Sequence, residues 1–346
     1  MADGVVWNFF QLPPVQASST EEETVFDARA RDCFESEAWT DLFSNEMLEL
    51  EYVWRQEDLR FINLLSTLRV GTVTPELIAF MEARQAAYED AVAGGDDFMH
   101  NTTHIYPTNE GVRAHNEQCL AAMEVKNKVT RVTFRSTDKA IGGVHLSDVD
   151  LANVLDQGLM PQRATSLCIG SRVAICVSDY RKEGVLNGTT GVVVGFQQRF
   201  PGAWHGMIVG SIPFVEFDTI NQGKKRIAVG PSKMELASVM KAGPYVTRVQ
   251  IPPVLAWSVS VHRVQGLSLD RAVFDLKTAF APGMVYVALS RVRTIAGVFV
   301  KSFGAEKVEA DSDVAAFYSA QQSFQASFSH FVCDGADGEV GPLELM

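Results

Sequence analysis

The stretch Leu255–Arg293 reads LAWSVSVHRVQGLSLDRAVFDLKTAFAPGMVYVALSRVR, and its patterning decides the fold class. Leu255, Trp257, Val259 and Val261 alternate with small or polar residues, which predicts a strand. The strand ends on His262-Arg263-Val264-Gln265-Gly266, a polar, glycine-terminated turn able to bring backbone amides close to a ligand. A second apolar run from Ala272 to Leu276 predicts another strand. Met284, Val287, Ala288 and Arg291 then fall at helical spacing, with Ser290-Arg291 expected near the middle of the helix. Strand, polar loop, strand and helix in this order is the α/β pattern that couples a loop to phosphate chemistry.

Outward from this stretch, 346 residues at 47% hydrophobic composition can bury a core of two or more compact units. No apolar run approaches the length of a membrane span, and the N-terminal residues read as neither a signal nor a transit peptide. The expected location is intracellular, nuclear or mitochondrial, with no membrane partner. Cys33, Cys119, Cys168, Cys176 and Cys333 are odd in number and lack metal-ligand spacing. Free thiols in a reducing compartment, without zinc, are expected. The formal net charge of −12 argues against strong, autonomous DNA binding, because dedicated binders carry a basic surplus.

At the N-terminus, Val5-Val6-Trp7-Asn8-Phe9-Phe10-Gln11-Leu12-Pro13-Pro14-Val15 predicts a short strand running into a Pro-Pro stop. An acidic, solvated loop is expected from Ser18 to Asp32, and a short helix from Ala38 to Phe43. Leu48, Leu50, Tyr52 and Trp54 alternate as a strand ending in Arg55-Gln56. Arg55 is either a surface cation at a strand end or a functional group. Phe61, Leu64, Leu65 and Leu68 predict an amphipathic helix stopped near Gly71. Thr74-Pro75 opens another, with Leu77, Ile78 and Met81 on its apolar side. Gly94-Gly95-Asp96-Asp97 predicts a loop, and His104–Asn109 a strand leading into a helix that carries Val112 and Asn116. Thr108 and Asn109 suit N-capping and equally suit phosphate contact.

From about Gly170 to Gln250 the texture becomes short β-rich runs with an Asn187-Gly188 turn, which predicts a small barrel. Lys182, Lys224, Lys225 and Arg226 either face solvent or line a nucleic-acid groove. Val298–Val300 is expected as the last core strand, Phe317 and Tyr318 on a closing helix, and the acidic tail after Cys333 as disordered.

SVHRVQGLSLDRAVFDL (260–276) followed by YVALSRVR (286–293) resembles the paired C-terminal motifs of the Pif-type ("Pif-one") DNA helicases, relatives of RecD within helicase superfamily one. FFQLPPV, LELEYVWRQ, the helix pair FINLLSTLRVGTVTPELIAFMEAR, and GSRVAICVSDYRKEGVLNGTTGVVVGF are similar to further motifs of that family. The resemblance implies an α/β fold: a RecA-like (P-loop NTPase-type) second helicase domain with a parallel sheet, interrupted by a small SH3-like β-barrel insertion. The implied layout is 1–45 as the end of a first RecA-like domain, 46–168 and 251–330 as the two parts of the second, 169–250 as the insertion and 331–346 as tail.

By the same resemblance Arg291 is the arginine finger of ATP hydrolysis and Arg55 its companion. Gln11, Gln265 and Gly266 sense the nucleotide, and Thr108, Asn109, Ser260, His262 and Arg263 contact single-stranded DNA. Arg291 remains open to a plainer reading as a helix arginine paired with a carboxylate. Two positions depart from the family: Arg263-Val264 stands for the usual Lys-Ser, and Trp7-Asn8 for Gly-Asp. The implied ligands are ATP and Mg2+, and the implied roles lie in DNA repair, recombination and telomere maintenance. The sequence carries no Gly-x-x-x-x-Gly-Lys-Ser/Thr loop and no Asp-Glu after an apolar strand. The expectation is therefore a C-terminal portion, such as a gene fragment, whose partner is a missing N-terminal RecA-like domain and which does not hydrolyse ATP alone. A non-catalytic single-strand-binding or regulatory module is the alternative.

Overall fold

The computed structural model describes residues 8–12, 32–36, 39, 53–140, 147–198, 203–204, 207–208, 210–219, 223–236 and 246–320. The chain divides into two compact units, residues 1–90 with 261–346, and residues 91–260. The expected loop at 18–31, strand residues 48–52, the tail after 333, and the 38–43 helix apart from Trp39 lie outside the described residues.

In the first unit, Phe9–Gln11 is a turn rather than the expected strand, with Gln11 N donating to Asn8 O at 3.1 Å. Ring packing wins over ladder pairing here. Phe9 meets Phe34, Trp39 and Phe317 edge-on, and Phe10 stacks on Tyr318. Val53–Gln56 likewise lies outside any strand. Helix α1 (Leu59–Arg69) starts because the Asp58 carboxylate accepts from Arg60 N and Phe61 N. It buries Phe61, Leu64, Leu65 and Leu68, the predicted stripe. It stops where Gly71 takes φ +70, and a Cβ there would stand 2.7 Å from Ala310 N. Thr74 Oγ1 accepts from Leu77 N to open α2 (Pro75–Ala93).

In the second unit, α3 (Asp96–Asn101) occupies part of the expected loop, since Gly95 at φ +123 completes the turn in one residue. The fully buried strand β1 (Thr103–Tyr106) leads into α4 (Asn109–Asn127), capped as expected by Thr108. The stretch 128–169, unassigned from sequence, holds β2 (Val132–Arg135), β3 (Thr137–Ala140), α5 (Asp148–Gly158) and β4 (Ala164–Leu167). Strands β2 and β4 pair antiparallel.

There follow β5 (Arg172–Ile175), β6 (Thr190–Gln198), a short antiparallel pair β7 (Ala203–Trp204) and β8 (Met207–Ile208), β9 (Ser211–Thr219), β10 (Gly223–Ala228), β11 (Ser232–Leu236), β12 (Val246–Gln250), β13 (Pro253–Leu255) and β14 (Ser258–Ser260). Five of them form an antiparallel sheet in the order β10-β9-β6-β5-β13 around Val173, Ile175, Val193, Val215 and Phe217. Strand β12 pairs with both β11 and β3. Its central Arg248 is fully buried and bonds both oxygens of Asp138, at 2.8 and 2.7 Å, together with the Asp156 carboxylate.

The alternating run at Leu255–Val261 is two strands, not one. Leu255 ends β13, antiparallel to β5, whereas β14 lies parallel to β1 with Ser258 beside His104. Buried Trp257 sits at the break, its carbonyl accepting from His104 N at 2.9 Å. Asn116 on α4 fixes the second strand, its Oδ1 accepting from Ser258 N at 2.9 Å.

Back in the first unit, Val261–Val264 is a helical turn, α6, rather than an open loop, because both valines are fully buried and draw the chain into a turn. Gly266 closes it at φ +86. Strands β15 (Ala272–Asp275) and β16 (Val298–Ser302) form where the apolar runs predict strands, and they pair parallel. Helix α7 (Met284–Leu289) packs against α1 and is only six residues long, so Ser290-Arg291 lies at its C-terminal end and not in its middle. A helix α8 at residues 312–320 carries Phe317 and Tyr318. No helix among the described residues is long and apolar enough to cross a membrane.

Candidate anion site and strand contacts

The C-terminal end of α7 brings two predicted arginines onto one residue. Arg55 donates from Nη1 to Ser290 O at 3.3 Å and from Nε to Ser268 Oγ at 2.9 Å. Arg291, 2% exposed, donates from Nε to Val287 O at 2.9 Å and from Nη2 to Ser290 Oγ at 2.7 Å. Between them Gln56, also buried, donates to Ser290 O at 3.0 Å and Val292 O at 2.8 Å. Two backbone carbonyls at the end of a short helix are thus satisfied by side-chain donors from a segment more than two hundred residues away.

Among the described residues neither arginine has a carboxylate partner, which removes the plainer reading of Arg291 as half of an ion pair. Burial, and then the like charge of Arg55, pushes the Arg291 pKa down to about 10. A guanidinium held this way carries uncompensated charge in a poorly solvated corner and is disposed to take an anion.

Beside this corner opens a cleft of about 330 Å³ lined by Trp54, Arg55, Ile62, Arg69, Tyr286 and Ser290 among others. Trp54 is 87% exposed at its rim. Gln56, Trp54 and Arg69 were not singled out from sequence. The motif resemblance of LELEYVWRQ is the signal in this stretch, and it marks Arg55 alone.

The expected nucleotide-sensing set assembles in part. Gln265 Nε2 donates to Gln11 Oε1 at 2.9 Å, so the Phe9–Gln11 turn and the segment after α6 meet side chain to side chain. Both Gln265 and Gly266 are exposed. Gly283 carries the start of α7 past this turn at φ +73, and a Cβ there would stand 2.6 Å from Phe10 O.

The residues expected to contact a nucleic-acid strand divide between the units. His262 and exposed Arg263 belong to the first. The His262 ring lies 6.4 Å from that of Phe280, which is 65% exposed, and burial lowers the His262 pKa below its usual 6.5. Thr108, Asn109 and Ser260 belong to the second. Thr108 Oγ1 accepts from Gly111 N at 3.2 Å, which is capping, while Asn109 is exposed and Ser260 is buried. On the five-stranded sheet Lys224 and Arg226 both pair with Glu216, at 3.5 and 2.7 Å, and Lys225 reaches Glu183 O. One carboxylate thus answers Lys224 and Arg226, while Lys225 is held by a backbone carbonyl.

No protein-family model matches the sequence. The chain is 31% identical over 316 residues to the mouse ATP-dependent DNA helicase PIF1, covering 90% of this chain and 41% of that protein. The crystal structure of the Candida albicans Pif1 helicase superimposes with a TM-score of 0.70 at 27% identity, covering 92% of this chain and 67% of that one. A Bacteroides Pif1 helicase in complex with ADP-AlF3 and single-stranded DNA gives a TM-score of 0.58 at 20% identity, over 91% of this chain and 65% of that one. The chain spans less than half the length of the mouse relative.

Proposed function

Because the chain belongs to the Pif1 family of DNA helicases, we propose that it supplies the second RecA-like side of an ATP-driven DNA motor. The single observation that carries this is the pair of arginines gathered on Ser290 without an acid partner. In phosphoryl transfer negative charge spreads over the phosphate oxygens, and arginines aimed there stabilise it with little reorganisation. Arg291, held by Val287 O and Ser290 Oγ, is the proposed finger, and Arg55 its companion. The Trp54 face and the apolar wall at Ile62 suit the base or ribose of the same nucleotide. The Gln11–Gln265 contact is the proposed link through which phosphate occupancy reaches the strand-contacting segment at His262 and Arg263.

Thr108 and Asn109, at the N-terminus of α4, are the proposed strand contacts of the other unit, with buried Ser260 shaping the end of β14. The five-stranded antiparallel sheet is read as the SH3-like insertion. Among the described residues no group of three His, Cys, Asp or Glu converges that could hold a metal ion. The sequence also carries no phosphate loop. A phosphate-loop domain is therefore the proposed partner, and the chain by itself is proposed not to turn over ATP.

An ATPase assay of the purified chain with single-stranded DNA tests this. The expected result is no turnover; turnover abolished by Arg291→Ala would refute the proposed inactivity. Fluorescence anisotropy with a labelled single strand separates the alternative: tight, salt-sensitive binding that needs no nucleotide would identify a strand-binding module instead.

A further inference from the structure

Arg69 closes α1, where a cation ordinarily answers the helix dipole. Its surroundings are different. The guanidinium carbon lies 4.9 Å from the Phe10 ring centroid and 5.4 Å from that of Tyr318, two rings stacked on each other at 4.8 Å. Its Nε is buried without a hydrogen-bond partner, and no carboxylate of the described residues forms an ion pair with it. The same side chain lines the 330 Å³ cleft that holds Arg55, Tyr286 and Ser290. Aromatic faces offset part of the desolvation of a guanidinium and occupy its plane, leaving the in-plane N–H edge for an oxygen ligand. In a chain of net charge −12, a third arginine without an acid beside one cleft is a concentrated exception.

We infer that Arg69 is a phosphate-contacting residue of this cleft, acting with Arg55 and Arg291 on the polyphosphate chain of a nucleoside triphosphate. The inference rests on the nucleotide reading above. It adds a residue from a different element, the end of α1, so that the bound phosphates meet cations from more than one direction. Phe10, under the Arg69 guanidinium, adjoins Gln11. Engagement of Arg69 by phosphate thereby bears directly on the turn that reaches Gln265.

The test is a calorimetric titration of the whole chain with ATP and with AMP. It compares the unaltered protein with Arg69→Met, Arg69→Lys and Arg291→Ala. Methionine keeps an apolar stem over Phe10 and Tyr318 while removing the charge. We expect Arg69→Met to weaken ATP about tenfold, as loss of a charge-assisted contact does. AMP should stay within about twofold of its original affinity, and Arg69→Lys should recover part of the ATP loss. If Arg291→Ala weakens ATP and Arg69→Met does not, the role of Arg69 is wrong and the nucleotide reading stands. If the unaltered chain binds no ATP, or Arg291→Ala is without effect, both fall. Phenylglyoxal labelling of the unaltered chain, mapped by mass spectrometry, gives a readout that no folding defect can disturb. ATP should protect Arg69 from modification, and equal labelling with and without ATP overturns the inference.

Discussion

Replacing Gln56 with leucine tests whether the arginine corner is held by that one amide. Gln56 is 5% exposed, and its Nε2 is the donor to Ser290 O at 3.0 Å and Val292 O at 2.8 Å. Leucine fills similar space and donates nothing. Two neutral hydrogen bonds are worth about 1 kcal/mol each, and a buried carbonyl left without a donor adds a cost of about 1 kcal/mol or more. Ser290 O keeps Arg55 Nη1 at 3.3 Å, so the Val292 carbonyl bears most of that second cost. The expected loss is about 2–3 kcal/mol, read as a shift in the urea midpoint. Hydrogen exchange resolved by mass spectrometry should show faster exchange in the peptide spanning 286–293, because the end of α7 loses its tie. A loss below about 0.5 kcal/mol, the size of an ordinary surface substitution, with unchanged exchange there, would refute the assignment of Gln56 as the clamp.

Other expectations follow from the same geometry. Arg248→Met should cost about 3–5 kcal/mol, because it strands Asp138 and Asp156 beside a buried strand; adding Asp138→Asn and Asp156→Asn should restore part of this in thermal unfolding, and no recovery would contradict the pairing. Gly283→Ala meets both a left-handed φ of +73 and the Phe10 carbonyl at 2.6 Å. It should cost at least about 1 kcal/mol and weaken ATP binding through the displaced Gln11 turn, whereas wild-type stability would show the approach to be slack. Burial raises the Cys119 thiol to about 11. The unfolded thiol ionises first, so this group's contribution to stability is intact below about 9 and is lost as pH rises toward 11; labelling by a thiol reagent at pH 8.5 should be far slower than in urea, and equal rates would refute the burial. His262 should titrate by NMR below 6.5, since burial disfavours the imidazolium, and its contribution to stability is lost as pH falls through that range; a midpoint above 6.5 would contradict this.

Local chemistry was legible in the sequence, and distant pairing was not. The stripe Phe61-Leu64-Leu65-Leu68, the Gly71 stop and the Thr108 cap each depend on neighbours within a few residues, and each stands in the structure. The apolar run 272–275 forms its strand for the same reason. Arg248 shows the opposite case: a charged residue in the middle of a fully buried strand has no local rationale, because its acids lie 110 and 92 residues earlier in the chain. Helical spacing through Arg291 overran α7, since a three- to four-residue period says nothing of where carbonyls are taken over by Gln56. Nothing in the local sequence marks Arg69, because Phe10 and Tyr318, the rings beside its guanidinium, are far from it in the chain. Among the candidate site residues, Arg55, Arg291, Gln11 and Gln265 were recoverable only as motif positions; their convergence on Ser290 and on each other belongs to tertiary structure.

The break at Ala256-Trp257 has a mechanical meaning. One covalent run lies along β5 on one side of these two residues and along β1 on the other. A strand advances about 3.3 Å per residue, so a two-residue joint anchored by a fully enclosed indole holds almost no slack. If the five-stranded sheet is pulled by more than a few ångströms, either β13 unzips from β5 or β14 is dragged along β1. Force applied to the small sheet therefore reaches Ser258–Ser260 for as long as β13 holds to β5.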